Sequence, residues 1–137
     1  LRNAQLELQQ EGIPHRANVP VGMMIEVPAA AIMADTFAAE VDFFSIGTND
    51  LTQYTLAADR GNSKVAHLYN TANPAVCALI RHTIEAAHRH GIPCGVCGVA
   101  GADPALQPSL IRWGVDELSM TPSRILPSRM EISKIRL

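Results

Sequence analysis

No apolar run in the sequence approaches the roughly 20 residues a bilayer span requires, so no membrane helix is expected. No charged segment leading into an apolar one marks an export signal at the first residues. Charge of neither sign dominates: the formal net charge is -2, which makes no case for nucleic acid or an acidic membrane as a partner. Cysteines number 3, an odd count without disulfide-scaffold spacing, so a reducing cytoplasm is the expected compartment. No internal repeat is visible. What the chain does have is apolar side chain. Hydrophobic residues make up 47% of 137, which sets it apart from disordered chains and suffices for one domain with a sizeable core. Residues 1–12 read as the tail of a helix ending at Gly12, and Leu1 stands where an initiator methionine would. The expectation is a piece of something longer.

The chain is organised around Val41-Asp42-Phe43-Phe44-Ser45-Ile46-Gly47-Thr48-Asn49-Asp50. Val41, Phe43, Phe44 and Ile46 form a short β-branched and aromatic run, predicting a strand buried on both faces. It breaks at Gly47 and delivers Thr48, Asn49 and Asp50 at the strand's carboxyl end, where a helical stretch begins and later closes on Asp59-Arg60-Gly61. Helix starts of this kind favour bound anions, because backbone amides and the helix dipole point at them. One amide, one carboxylate and one arginine there suit a phosphorylated, metal-bound ligand.

Around this centre the pattern alternates. Met23 to Val27 predicts a strand with Glu26 near its end; Glu26 is either a ligand at the strand mouth or an acid facing solvent. Ala29 to Glu40 predicts one helix packed through Ile32, Met33 and Phe37. Asn73 as N-cap, Pro74 at the first helical position and Gly91 beyond the end predict a helix with Val76, Ile80, Ile84 and Ala87 on one face. His82, His88 and His90 sit in its second half, where cationic groups favour a helix C-terminus and no further metal ligand is at hand. Ile92 to Gly98 predicts a third strand. Its Cys94-Gly95-Val96-Cys97 is no redox or zinc pair, because cysteines three apart on a strand point to opposite faces, roughly 10 Å apart at Cα. Cys77 and Cys94 read as packing residues, whereas Cys97 stands at the strand's end, between glycines that would allow close ligand approach. A helix follows from Asp103-Pro104 to Arg112, with Pro108 implying a late start. Val115 to Met120 predicts a fourth strand, and Thr121-Pro122-Ser123 caps a last helix that Pro127 interrupts, with Arg124 and Arg129 solvated. Strands alternating with helices predict a parallel α/β sheet with right-handed crossovers, either half of an eightfold barrel or a small open sheet.

Glu26, Asn49-Asp50 and Cys97 therefore fall at the carboxyl ends of different strands, the face where such folds place their chemistry. Two carboxylates suit Mg²⁺, which keeps waters and substrate phosphate among its ligands. Arg60 would neutralise phosphate. An unperturbed thiol, with a pKa of about 8.5, carries its proton at neutral pH, so Cys97 is as ready an acid as a nucleophile.

The runs Gly22-Met23-Met24-Ile25-Glu26-Val27-Pro28 and Asp42-Phe43-Phe44-Ser45-Ile46-Gly47-Thr48-Asn49-Asp50-Leu51-Thr52-Gln53-Tyr54 closely resemble the phosphoenolpyruvate-utilising enzymes. Within them the chain is most similar to the Enzyme I group of the bacterial sugar phosphotransferase system. The likeness continues through Ala58-Asp59-Arg60, Asn73-Pro74, Gly95-Val96-Cys97-Gly98 and Asp116-Glu117-Leu118-Ser119-Met120, nearly the whole chain. It implies that residues 1–137 are the C-terminal part of a phosphoenolpyruvate-binding (β/α)8 TIM barrel, about its last four β/α units. It further implies that Glu26 and Asp50 hold Mg²⁺, that Asn49, Asp50 and Arg60 bind phosphoenolpyruvate, and that Cys97 protonates the enolate carbon to give pyruvate. The phosphoryl group would pass to an enzyme histidine in another domain and then to a phosphocarrier protein for sugar uptake, in a homo-oligomeric enzyme. The chain departs from the family where Val99 follows Gly98 in place of glutamate, and where Ala102 separates Ala100-Gly101 from Asp103. The family's phosphorylatable histidine context and the arginines of the earlier barrel strands are not in this sequence. Two alternatives are a barrel fragment of phosphoenolpyruvate synthase or pyruvate phosphate dikinase, and a non-catalytic dimerisation module.

Overall fold

The computed structural model describes residues 1–136. Four strands, β1 (Gly22–Ile25), β2 (Phe43–Gly47), β3 (Cys94–Cys97) and β4 (Glu117–Leu118), form a sheet in the order β1-β2-β3-β4. Every neighbouring pair is parallel. Parallel neighbours cannot be joined by hairpins, so helices carry the chain back between them. They are α1 (Arg2–Gln10) ahead of the sheet, α2 (Pro28–Ile32) and α3 (Ala34–Ala38) after β1, α4 (Thr48–Leu56) and α5 (Pro74–Arg89) after β2, α6 (Gln107–Arg112) after β3, and α7 (Pro122–Ile132) after β4. The α/β class and parallel sheet are those expected. No helix among the described residues is long and apolar enough to cross a membrane.

The sheet is buried on one face. Ile25, Phe44, Ile46, Cys94 and Val96 are at most 1% exposed and share one cluster with Ile80, Ile84 and Leu110. Because side chains alternate, Met24, Phe43 and Glu117 project from the opposite face and are exposed. The expectation that β2 is buried on both faces is therefore corrected: Phe44 and Ile46 meet the helices, while Phe43 overlooks an open groove of about 570 Å³ with Ser45 and Gly95.

Helix α5 forms as its sequence dictates. Asn73 Oδ1 accepts the Ala75 N–H at 2.9 Å, Pro74 occupies the first turn, and Gly91 takes a left-handed φ of 71° just beyond the end. Val76, Ile80, Ile84 and Ala87 are all buried, each of the larger three stabilising by about 2 kcal/mol. Two of the three histidines at its C-terminal end lie beside carboxylates: His88 Nε2 is 3.0 Å from Asp116 and His90 Nε2 3.5 Å from Asp35. No cluster of three or more potential metal-ligating side chains occurs among the described residues.

Two helical expectations fail. Residues 29–40 are not one helix packed through Ile32 and Met33, which are 64% and 48% exposed. The helix breaks at Met33 into α2 and α3, and Ala30, Ala31, Ala34 and Ala38 form the inner face against α5. Small side chains let the backbones approach, and the break turns the larger ones outward. Helix α7 likewise runs through Pro127. The carbonyl deprived of its partner belongs to exposed Ser123, so water can satisfy it. Helix α6 does start late, with Pro108 in its first turn.

Candidate functional site

The register builds the site. Ile25 pairs with Ile46, so Glu26 emerges beside Gly47, and Gly47 pairs with Cys97 on the next strand. A carboxylate, the start of α4 and a thiol thus stand in one row across three adjacent strand ends. Gly47 keeps the row closely spaced: a Cβ there would lie 2.8 Å from Glu26 Oε2. Among the described residues no ion pair involves Glu26.

Helix α4 begins immediately after β2, so Thr48, Asn49 and Asp50 form its first turn, where backbone N–H groups lack intrahelical partners. The carboxamide of Asn49 has a defined orientation. Its Oδ1 accepts the Val99 N–H at 3.1 Å, and only oxygen can face that donor, which leaves the NH₂ group to face outward. The Asn49 carbonyl accepts the Tyr69 hydroxyl at 3.1 Å. Asp50 and Arg60 approach to 3.7 Å, with side chains 40% and 47% exposed. An exposed pair at that separation is worth about 0–1 kcal/mol, so Arg60 is readily given up to a stronger anion.

Cys97 is half-buried on the open face, its Sγ 3.8 Å from Met24 Sδ, whereas Cys94 is fully buried on the helix face. Burial, reinforced by the nearby charge of Asp116, pushes the Cys94 thiol up to about 12. The two cysteines are therefore chemically distinct and not a pair. The glycine after Cys97 is also required by packing: at Gly98 (φ 95°) a Cβ would lie 2.8 Å from Thr48 Oγ1 and 3.0 Å from Asn49 Oδ1. Its neighbours are this chain's own residues. The role of Thr48 was missed in the sequence, yet it is fully buried and donates its hydroxyl to the Cys97 carbonyl at 2.8 Å.

Beside this row opens a cleft of about 760 Å³, edged by Asn49 and Gly98 and closed on its far side by Ser119, Met120 and Arg124. Arg124 is not simply solvated; its guanidinium donates to the Ala102 carbonyl at 2.9 Å. Glu26, Asp50, Arg60 and Cys97 do not line the cleft. The row joins acid, amide and thiol, whereas the cleft, with Asn49, Asp103 and Arg124 on its walls, has no thiol.

An α/β protein that presents acidic, amide and thiol side chains at the carboxyl ends of parallel strands belongs to the class whose chemistry is carried on the strand-end loops. Residues 1–137 match a family described as PEP-utilising enzyme, PEP-binding domain, and the chain belongs to that family. Among its curated relatives, the phosphoenolpyruvate-protein phosphotransferase of Geobacillus stearothermophilus is 54% identical over 128 residues, 93% of this chain and 22% of that protein. The protein of the same name from Priestia megaterium is 48% identical over 135 residues, 98% of this chain and 24% of the relative. That of Bacillus subtilis (strain 168) is 53% identical over 118 residues, 86% and 21%. The chain thus spans under a quarter of the length of the curated relatives it matches.

Proposed function

We propose that this chain is the phosphoenolpyruvate- and Mg²⁺-binding part of a phosphoenolpyruvate–protein phosphotransferase, contributing the last four β/α units of a (β/α)8 barrel. The observation that carries the reading is the row Glu26, Gly47 and Cys97 on adjacent strand ends, with Asn49 and Asp50 in the helix turn that follows. The names of the curated relatives favour it over a synthase or dikinase sharing the same barrel.

Glu26 and Asp50 would hold Mg²⁺. Two carboxylates suit an ion that keeps waters and phosphate oxygens, and Glu26 is half-buried and in no ion pair among the described residues. When bound, the ion neutralises charge on phosphate and enolate oxygens. Asn49, with its NH₂ facing outward, and the orphan amides of α4 bind phosphate. Arg60 exchanges its exposed contact with Asp50 for a phosphate oxygen. Cys97 protonates the methylene carbon once the phosphoryl group has left for a histidine outside this chain, from which it passes to a phosphocarrier protein. The enzyme is read as cytoplasmic, in keeping with its three free cysteines, and as homo-oligomeric, in keeping with the exposed Met24 and Phe43 on the open sheet face.

The test is pyruvate formation by the complete polypeptide. Cys97→Ala should reduce it at least about a hundredfold, the scale of general acid catalysis, while Cys94→Ala leaves turnover near normal. Equal loss in both would reject the assignment of the proton to Cys97.

A further inference from the structure

Thr48 is fully buried, yet its hydroxyl spans two strand–helix units: it sits on the first residue of α4 and donates to the last carbonyl of β3. Its own carbonyl accepts the Thr52 hydroxyl at 2.7 Å, so its backbone is held from the helix side as well. One residue on, Asn49 Oδ1 takes the Val99 N–H at 3.1 Å. Gly98, lying between these two contacts, has the only side-chain size that fits against Thr48 and Asn49. Two hydrogen bonds and one close approach therefore fix the peptide groups on either side of Gly98 to the turn bearing Asn49 and Asp50. Phosphate-facing and thiol-bearing elements are clamped as one body.

We propose that Thr48 is a positioning residue for Cys97: by holding the Cys97 carbonyl it fixes where the thiol stands relative to a substrate bound at Asn49 and Asp50. The inference rests on the proposed role of Cys97 as proton donor. In that step the S–H bond breaks and its electron pair stays on sulfur as thiolate. The enolate π pair takes the proton to form the C–H bond, and the enolate oxygen becomes the ketone of pyruvate. Proton transfer to carbon demands close alignment, whereas phosphate binding through several charged contacts tolerates small shifts. Loss of the Thr48 hydroxyl should therefore act on the proton and spare binding.

The experiment uses the complete polypeptide with Mg²⁺ and compares Thr48→Val, which swaps the hydroxyl for a methyl, with Thr48→Ser, which keeps it. Two quantities are read: solvent-deuterium incorporation into the methyl group of pyruvate, and the dissociation constant of phosphoenolpyruvate by calorimetry. Thr48→Val should slow exchange about tenfold or more with affinity changed less than about twofold, and Thr48→Ser should restore exchange. Exchange within about twofold of wild type in Thr48→Val, or loss of exchange and affinity together, would overturn the inference. Should Thr48→Val fail to fold, Thr48→Ser decides alone: exchange depressed to the level of Cys97→Ala despite its hydroxyl overturns the proposal, and near-normal exchange upholds it. Cys97→Ala separates the layers. Normal exchange in that variant defeats the proton-donor reading itself, whereas its loss beside a normal Thr48→Val defeats only the role of Thr48.

Discussion

Individual residues in this chain differ by environment more than by type. Cys94 and Cys97 lie on one strand, but the first is fully buried with its thiol pushed up to about 12, and the second is half-buried on the open face. Iodoacetamide should accordingly modify Cys97 in the folded protein and reach Cys94 only in denaturant; mass spectrometry of tryptic peptides would show whether labelling follows this order. Asp116 offers a pH test. Burial acts to raise its pKa, but the Cys94 amide at 2.8 Å and His88 at 3.0 Å outweigh it and hold the carboxyl below its ordinary range. Arg89, bonded to both oxygens of Asp35, does the same for that carboxyl. Folded carboxyls with lowered pKa bind protons less readily than the unfolded chain. The stability they contribute is present above about pH 4 and is lost as pH falls through the folded values. Melting temperatures measured from pH 6 to 3 should drop below about pH 4, and Asp116→Asn should flatten that drop by less than about 1 kcal/mol, because the side chain is partly exposed. An acid limb unchanged in Asp116→Asn would show that Asp116 contributes nothing to it.

Elements were legible where local rules and packing agree. Helix α5 carries its cap, its proline and its apolar period in sequence, and the structure keeps all of them. Asn73→Ala should cost about 1 kcal/mol in urea unfolding with the m-value unchanged. The α2–α3 segment was misread because hydrophobicity favours Ile32 and Met33, whereas the approach of α5 selects the alanines; no local pattern announces how close a neighbouring helix will come. Ala34 is fully buried in that contact, so Ala34→Leu should destabilise by about 1–3 kcal/mol through overpacking, measured the same way. A neutral Ala34→Leu would show slack between the helices. For the site, a break after a short apolar run was enough to place Glu26, Asn49, Asp50 and Cys97 at strand ends. The Thr48 link was invisible because its partner lies 49 residues away and a buried threonine looks like any other core residue.

At the scale of the whole molecule, the sheet has helices on one face and an open face carrying Met24 at 47% and Phe43 at 38% exposure, with β1 and β4 as edges. Exposed apolar surface beside unpaired strand edges promotes association. Sedimentation equilibrium of this chain should therefore show a twofold dimer, weakened in Phe43→Lys; a monomer at all concentrations would mean the face is adequately solvated as it stands. The strand-end row is proposed to bind phosphoenolpyruvate through a metal held by Glu26 and Asp50. Calorimetry of phosphoenolpyruvate binding to the complete polypeptide, in Mg²⁺ and in EDTA, tests it most directly. Wild type should bind only with Mg²⁺, and both Glu26→Gln and Asp50→Asn should lose that Mg²⁺-dependent binding while their melting curves stay cooperative. Undiminished Mg²⁺-dependent binding in either variant would contradict it.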